Sequence, residues 1–235
     1  PLNLASTLPK WCLPPDLGPK MYFGFGSLAA DGSFARHVSS SAHVAGTCLH
    51  VDMADAVNIC CHVEPLCRDG NGGGDGPSSM AAKRRRLSLH DGRRGGGSSE
   101  DAEEEAASDD DEEAERHWLL GEGDDGAAVW DIWHSRDAET ISNFLIRVAR
   151  EEGRKPCAHG IHDQTFYVDA VLRRRLEEEE GVIGWRFVQR AGDAVFIPAG
   201  CPHQVLNLRS CIKTAMDFVS PEHMDECLRL TEQFR

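Results

Sequence analysis

The stretch GDAVFIPAGCPHQVLNL, Gly192 to Leu208, restricts this chain more than any other. A strand-like run, Ala194 to Ile197, stops at Pro-Ala-Gly, and a second apolar run opens on His203. Tight turns built on Pro and Gly join buried strands, so the stretch reads first as a β-hairpin of an all-β core. Its punctuation is narrower than a hairpin requires, because Gly192, Pro198, Gly200, His203 and Asn207 stand at set offsets. A lone His at the restart is a candidate ligand, and the rest of the chain has to supply its companions.

The spacing resembles the second signature of the cupin double-stranded barrel, in which the His points into the barrel mouth and holds a metal. A matching pair lies in His50-Val51-Asp52, inside the strand-like run Thr47 to Asp52. Residues two apart on a strand point to one side, so the imidazole and the carboxylate are expected to converge. With His203 they make a two-His, one-carboxylate set, which leaves coordination positions open and is diagnostic of non-haem Fe(II) oxygenases.

A keto-acid co-substrate at such an iron needs a cation for its far carboxylate. Lys213 follows His203 by ten residues, and its parity on the next strand faces it inward among apolar neighbours. A buried ammonium without a partner is costly, so this lysine is expected to meet an anion. Thr47, Asn58 and Tyr22 are candidate further donors to the same ligand. Trp130 and Trp133 read as core residues that could also line a groove, and His62, His159 and His162 as structural or surface histidines.

The 235 residues suffice for one good core. No apolar run approaches the ~20 residues of a membrane span. Pro1 follows no Met and no leader, so the chain reads as a piece of something larger. Nine cysteines without a Cys-x2-Cys pair favour reduced thiols over a disulfide framework or a zinc module. Residues 68–125 hold 8 Lys/Arg against 17 Asp/Glu, a local charge of -9 out of the chain's -14. What remains is mildly acidic and offers no basic face for nucleic-acid phosphates.

That acidic region belongs to a segment of Gly, Ser, Asp and Glu too poor in apolar residues to offset the entropy of ordering. It is read as a disordered charged insertion over 66–126 within a single domain of 1–235. Its run Lys83-Arg-Arg-Arg86, followed by Arg93-Arg94, resembles a nuclear import patch. Outside it, strands are expected over Lys20–Gly26, Thr47–Asp52, Ala56–Val63, Trp185–Gln189, Ala194–Ile197, Gln204–Leu206 and Cys211–Phe218. Helical spacing of Ile141, Phe144, Leu145 and Val148 predicts a helix over Asp137–Glu151. A second is expected over Asp169–Glu179, closed by Gly181, and a third opens on an N-cap Ser220 with Pro221 and runs to about Phe234. The fold class is mainly β with flanking helices: a double-stranded β-helix, or cupin-like jelly roll, with a long insertion.

The stretches DLGPKMYFGFG (16–26), LHVDMADAVNI (49–59), VWDIW (129–133), IHDQTFYVDAVLRRRL (161–176), the block 192–223 and CLRLTEQFR (227–235) resemble the JmjC-domain oxygenases, and among them the histone H3 lysine-9 demethylase subgroup. The resemblance implies Fe(II) held by His50, Asp52 and His203, with 2-oxoglutarate met by Thr47, Asn58 and Lys213 and O2 as second co-substrate. It implies oxidation of an N-methyl group of mono- or dimethylated lysine, with release of formaldehyde and succinate. The histone H3 tail and chromatin would be the partners and the nucleus the location. Because the same site needs only a C–H bond near iron, a protein side-chain hydroxylase and a non-catalytic chromatin-binding module stay open beside it.

Overall fold

In a computed structural model that describes residues 3–12, 14–27, 45–65, 126–154 and 158–233, strand β4 (Gly126–Ile132) is buried at every position. Both of its faces are covered, which is why GAAVWDI lacks the alternation of a half-exposed strand. The other strands are β1 (Lys20–Gly24), β2 (Gly46–His50), β3 (Asp55–Val63), β5 (Trp185–Arg190), β6 (Ala194–Ile197), β7 (His203–Asn207) and β8 (Cys211–Phe218). They form two four-stranded antiparallel sheets, ordered β1-β8-β3-β6 and β2-β7-β4-β5. All described residues fall in one unit, Pro1–Cys67 with Ala107–Arg235.

Except from β4 to β5, each strand is followed by one in the opposite sheet. That alternation is the double-stranded β-helix, the cupin-like jelly roll expected from the sequence. Ala56, Ala128, Trp130, Ile132, Val195, Ile197 and Val205 fill the space between the sheets. The hairpin expected at Pro-Ala-Gly is not there: β6 pairs with β3, and β7 with β2 and β4. Residues Pro198–Gly200 carry the chain from one sheet to the other, and Gly200 takes a φ of 75°, where a side chain would be strained.

Helix α1 (Ala138–Glu151) turns Ile141, Phe144, Leu145 and Val148 inward, as their spacing predicts. Helix α2 (Ala170–Glu180) is capped by Asp169, whose carboxylate accepts the amide of Leu172 at 2.9 Å, and ends on Gly181 at φ 68°. With Leu49 of β2, Trp133, Ile161 and Phe166 these helices build a second core outside the β2-β7-β4-β5 sheet. The outer face of the other sheet shows Met21, Phe23 and Phe196, each more than 60% exposed.

At the third helix the structure departs from expectation. A 3-10 turn, Pro221–His223, precedes helix α3 (Met224–Gln233), and the Ser220 side chain caps no amide. Its backbone N–H instead donates to Asp55 at 2.8 Å. Phe234 and the insertion expected over 66–126, with its basic and acidic runs, lie outside the described residues, apart from Gly126 at the start of β4.

Candidate metal centre

His50 closes β2 and His203 opens β7, and the two strands place them directly opposite each other. Their ring centroids are 4.1 Å apart. Asp52 lies beyond the end of β2, in the loop leading to β3, so it does not share a strand with His50 as expected. Its carboxylate still reaches both rings, Oδ1 at 3.9 Å from His50 Nε2 and Oδ2 at 3.7 Å from His203 Nε2. Three ligand atoms, one from each residue, lie within 4.8 Å of one another, the one such group found among the described residues.

Both imidazoles are oriented alike. His50 Nδ1 faces the carbonyl of Cys48 at 2.8 Å, and His203 Nδ1 that of Cys201 at 3.0 Å. A carbonyl only accepts, so each Nδ1 carries a proton and each Nε2 is the ring nitrogen turned toward Asp52. Burial first, and then the neighbouring His50, push His203 well below the ordinary histidine value, against the pull of Asp52 and the Cys201 carbonyl. A neutral, pre-aimed imidazole is what a divalent metal requires, and the donor set fits ferrous iron.

Tyr22 pairs with Lys213 between β1 and β8, and Asn58 pairs with Ala215 between β3 and β8. The parity puts Tyr22, Asn58 and Lys213 on the inner face of one sheet, on neighbouring rungs. Lys213 is 5% exposed, and its Nζ donates to Asn207 Oδ1 at 2.9 Å. Burial lowers its pKa, with Cys211 and Cys60 opposing. A Cβ on Gly24 would come within 2.6 Å of the Asn207 amide, so the glycine leaves this partner its room. Thr47 sits on the other sheet and is exposed. A bulge between Thr47 and His50 gives both the face of Val205 and His203, although they stand three positions apart.

Several residues near the triad and Lys213 are not among the ligand candidates of the sequence, Trp130 being expected there only as core or groove lining. Trp130 stacks on His203 at 6.1 Å and lies 5.7 Å from Lys213 Nζ, so one indole spans the candidate ligand and the buried cation. Its Nε1–H donates to Gln189 at 2.9 Å, and Gln189 donates in turn to the Asn58 carbonyl at 3.1 Å. Asn207 was visible only as the last member of the signature. A cavity of about 300 Å³ opens beside the triad, and His50, Asp52, His162, Gln164 and Asp217 are on its wall. His162 is therefore a cavity residue. Gln164 holds a φ of 50°, the one non-glycine positive φ among the described residues. The loop bearing them is fastened by Gln204, next to His203, which exchanges hydrogen bonds of 2.8 and 2.7 Å with the backbone of Val168 and donates to buried Asp131 at 3.0 Å.

Residues 111–218 match the family described as JmjC domain, hydroxylase, a span that includes His203 and follows His50 and Asp52. Over its whole length the chain is similar to the human Lysine-specific demethylase 3A, at 40% identity across 236 residues, and covers 15% of that protein. It is likewise similar to Lysine-specific demethylase 3A-B of Xenopus laevis, at 40% identity and 15% coverage. Lysine-specific demethylase JMJ29 of Arabidopsis thaliana is 39% identical over 243 residues, and the chain covers 26% of it. The chain thus matches the JmjC domain over residues 111–218, and along its length it is similar to a part of lysine-specific demethylases, with His50, Asp52 and His203 grouped as a set that could hold a metal.

Proposed function

We propose that this chain is the catalytic domain of an Fe(II)- and 2-oxoglutarate-dependent histone lysine demethylase, a single domain over 1–235 with a charged insertion at 66–126. The observation that carries the reading is the convergence of His50, Asp52 and His203, two of which, His50 and Asp52, are on the wall of a cavity. Bound there, ferrous iron with 2-oxoglutarate and O2 would supply the oxidant that hydroxylates an N-methyl carbon; the hemiaminal would lose formaldehyde, and 2-oxoglutarate would leave as succinate and CO2. The chain's own part is to bind, orient and exclude. His50 and His203 offer Nε2 lone pairs fixed by their carbonyl partners. Lys213, with Tyr22 and Asn58 beside it and Thr47 opposite, would receive the far carboxylate of the keto acid, and burial keeps that pairing free of competing water.

The proposed substrate is mono- or dimethylated lysine-9 in the tail of histone H3, and the setting chromatin in the nucleus. The names of the similar proteins support lysine demethylation, and the finer assignment rests on the resemblance of stretches such as 192–223 to the histone H3 lysine-9 demethylase subgroup. A second reading, oxidation of an unmethylated side chain, is favoured by the word hydroxylase in the family description. Mass spectrometry of methylated and unmethylated histone peptides, incubated with the iron-loaded protein and 2-oxoglutarate, separates the two. Loss of a methylene mass with formaldehyde release supports demethylation, and gain of one oxygen on an unmethylated peptide supports hydroxylation. Iron-loaded protein that consumes no 2-oxoglutarate with any peptide would instead support a non-catalytic binding module.

A further inference from the structure

Strand β8 carries Lys213, Ala215 and Asp217 at alternate positions of its inner face, a cation and an anion with a small residue between. Four residues of strand set the two charges roughly 13 Å apart. Lys213 is the deep, buried end. Asp217 is on the wall of the cavity that His50 and Asp52 also line. One strand therefore presents opposite charges to the two ends of the site, a positive one suited to a dicarboxylate and a negative one suited to a cation.

Asp217 is not bare. Lys20, on β1 opposite Ala215, reaches diagonally so that its Nζ donates to Asp217 Oδ1 at 2.8 Å. Burial works against the Lys20 charge, but the hydrogen bond and charge of Asp217, with Tyr22 and Asp52 adding to them, more than restore it. Lys20 is thus a protonated primary alkylamine already paired with a carboxylate of the cavity wall. Its side chain is 32% exposed and stands on an edge strand, so solvent is open to it as an alternative.

Resting on the demethylase reading above, we propose that Asp217 is the carboxylate that receives the ammonium of the substrate's methylated lysine, and that Lys20 is a resident occupant which that cation displaces. The two cations have the same stem length and the same chemistry. A mono- or dimethylammonium keeps at least one N–H to donate to the carboxylate, whereas a trimethylammonium keeps none, so the contact also sorts methylation states.

The test is binding of fluorescent H3-tail peptides, mono-, di- or trimethylated at lysine-9, to the full chain loaded with Mn(II) and 2-oxoglutarate. Asp217→Asn is expected to weaken the dimethyl peptide by about tenfold or more, the worth of one charge-assisted hydrogen bond, and the trimethyl peptide least. Asp217→Glu restores part of the loss. Lys20→Met is expected to tighten the dimethyl peptide several-fold, because it removes the competitor. Opposite signs for the two partners are the signature of displacement. An ion pair that serves only the fold loses binding when either partner is removed, and that result, or no change in Lys20→Met, overturns the proposal even if Asp217→Asn fails to fold. A wild-type protein that binds none of the peptides and demethylates none overturns the demethylase reading itself, whereas wild-type turnover with same-sign variants overturns only the role of the pair.

Discussion

The amide of Gly200 donates to the backbone carbonyl of Asp52 across 3.0 Å, tying the loop that carries the metal-site carboxylate to the turn that leads into His203. Asp55, the first residue of β3, strengthens the tie from the end of that loop. Its Oδ1 accepts the amide of Ala199 at 2.9 Å and faces His223 Nδ1 at 2.6 Å, and its Oδ2 accepts the amide of Ser220 at 2.8 Å. Burial raises the Asp55 pKa, but the hydrogen bonds from Ser220, Ala199 and His223 outweigh it and hold the carboxyl below its usual value.

Asp55→Ala leaves two backbone amides without an acceptor, at a cost on the order of 3 kcal/mol. Because those amides belong to the turn before His203 and the entry to α3, metal binding is expected to weaken along with the fold. Denaturant unfolding reads the first effect and calorimetric titration with Mn(II) the second. Destabilisation with wild-type metal affinity would show that Asp55 supports the rim without positioning the ligands.

The local signals of the sequence were those that act over a few residues. Asp169 and Gly181 announce the two ends of α2, and the spacing from Ile141 to Val148 announces α1, because caps and helical faces are set by near neighbours. Which sheet a strand joins is not so encoded, and Pro198–Gly200 serves a crossover as well as a hairpin. The convergence of His50 and Asp52 was legible and its cause was not: β2 ends at His50, and a loop brings the carboxylate back. In the same way a bulge sets the facing of Thr47, which strict alternation would have reversed. Trp130 reaches Lys213 from β4 and is held by Gln189 of β5, contacts between strands far apart in sequence and beyond the reach of any spacing rule, whereas Asn207 meets Lys213 from six residues away on the preceding strand.

His203→Ala removes the most buried member of the triad, and metal affinity is expected to fall by more than about 100-fold, the upper range for losing a partner that only supports a ligand. Turnover with 2-oxoglutarate should disappear with it. Retained iron and full turnover in a variant of wild-type circular dichroism would remove His203 from the site.

Lys213→Met keeps volume and deletes a buried charge. Replacing a desolvated ammonium by an apolar isostere spares its solvation cost, so the melting temperature without co-substrate should hold or rise. The KM for 2-oxoglutarate is expected to climb by about thirtyfold or more if the lysine pairs with the far carboxylate. An unchanged KM would mean that another cation receives the keto acid.

Metal-free protein should lose stability on mild acidification, and the sign follows from His203. Unfolded, this histidine takes a proton near its ordinary value of 6.5; folded, burial and His50 delay protonation to about 4. Over that interval the unfolded chain binds the proton and the native one does not, so acid favours unfolding from pH 6.5 downward, by on the order of 3 kcal/mol once the interval is crossed. His159 and His162 are lowered by burial as well and add to the same slope. Unfolding midpoints of the metal-free protein are thus expected to fall steadily between pH 7 and pH 5. His203→Gln, which has no proton to exchange, should show a shallower decline, and parallel curves for the two proteins would assign the acid sensitivity to other groups.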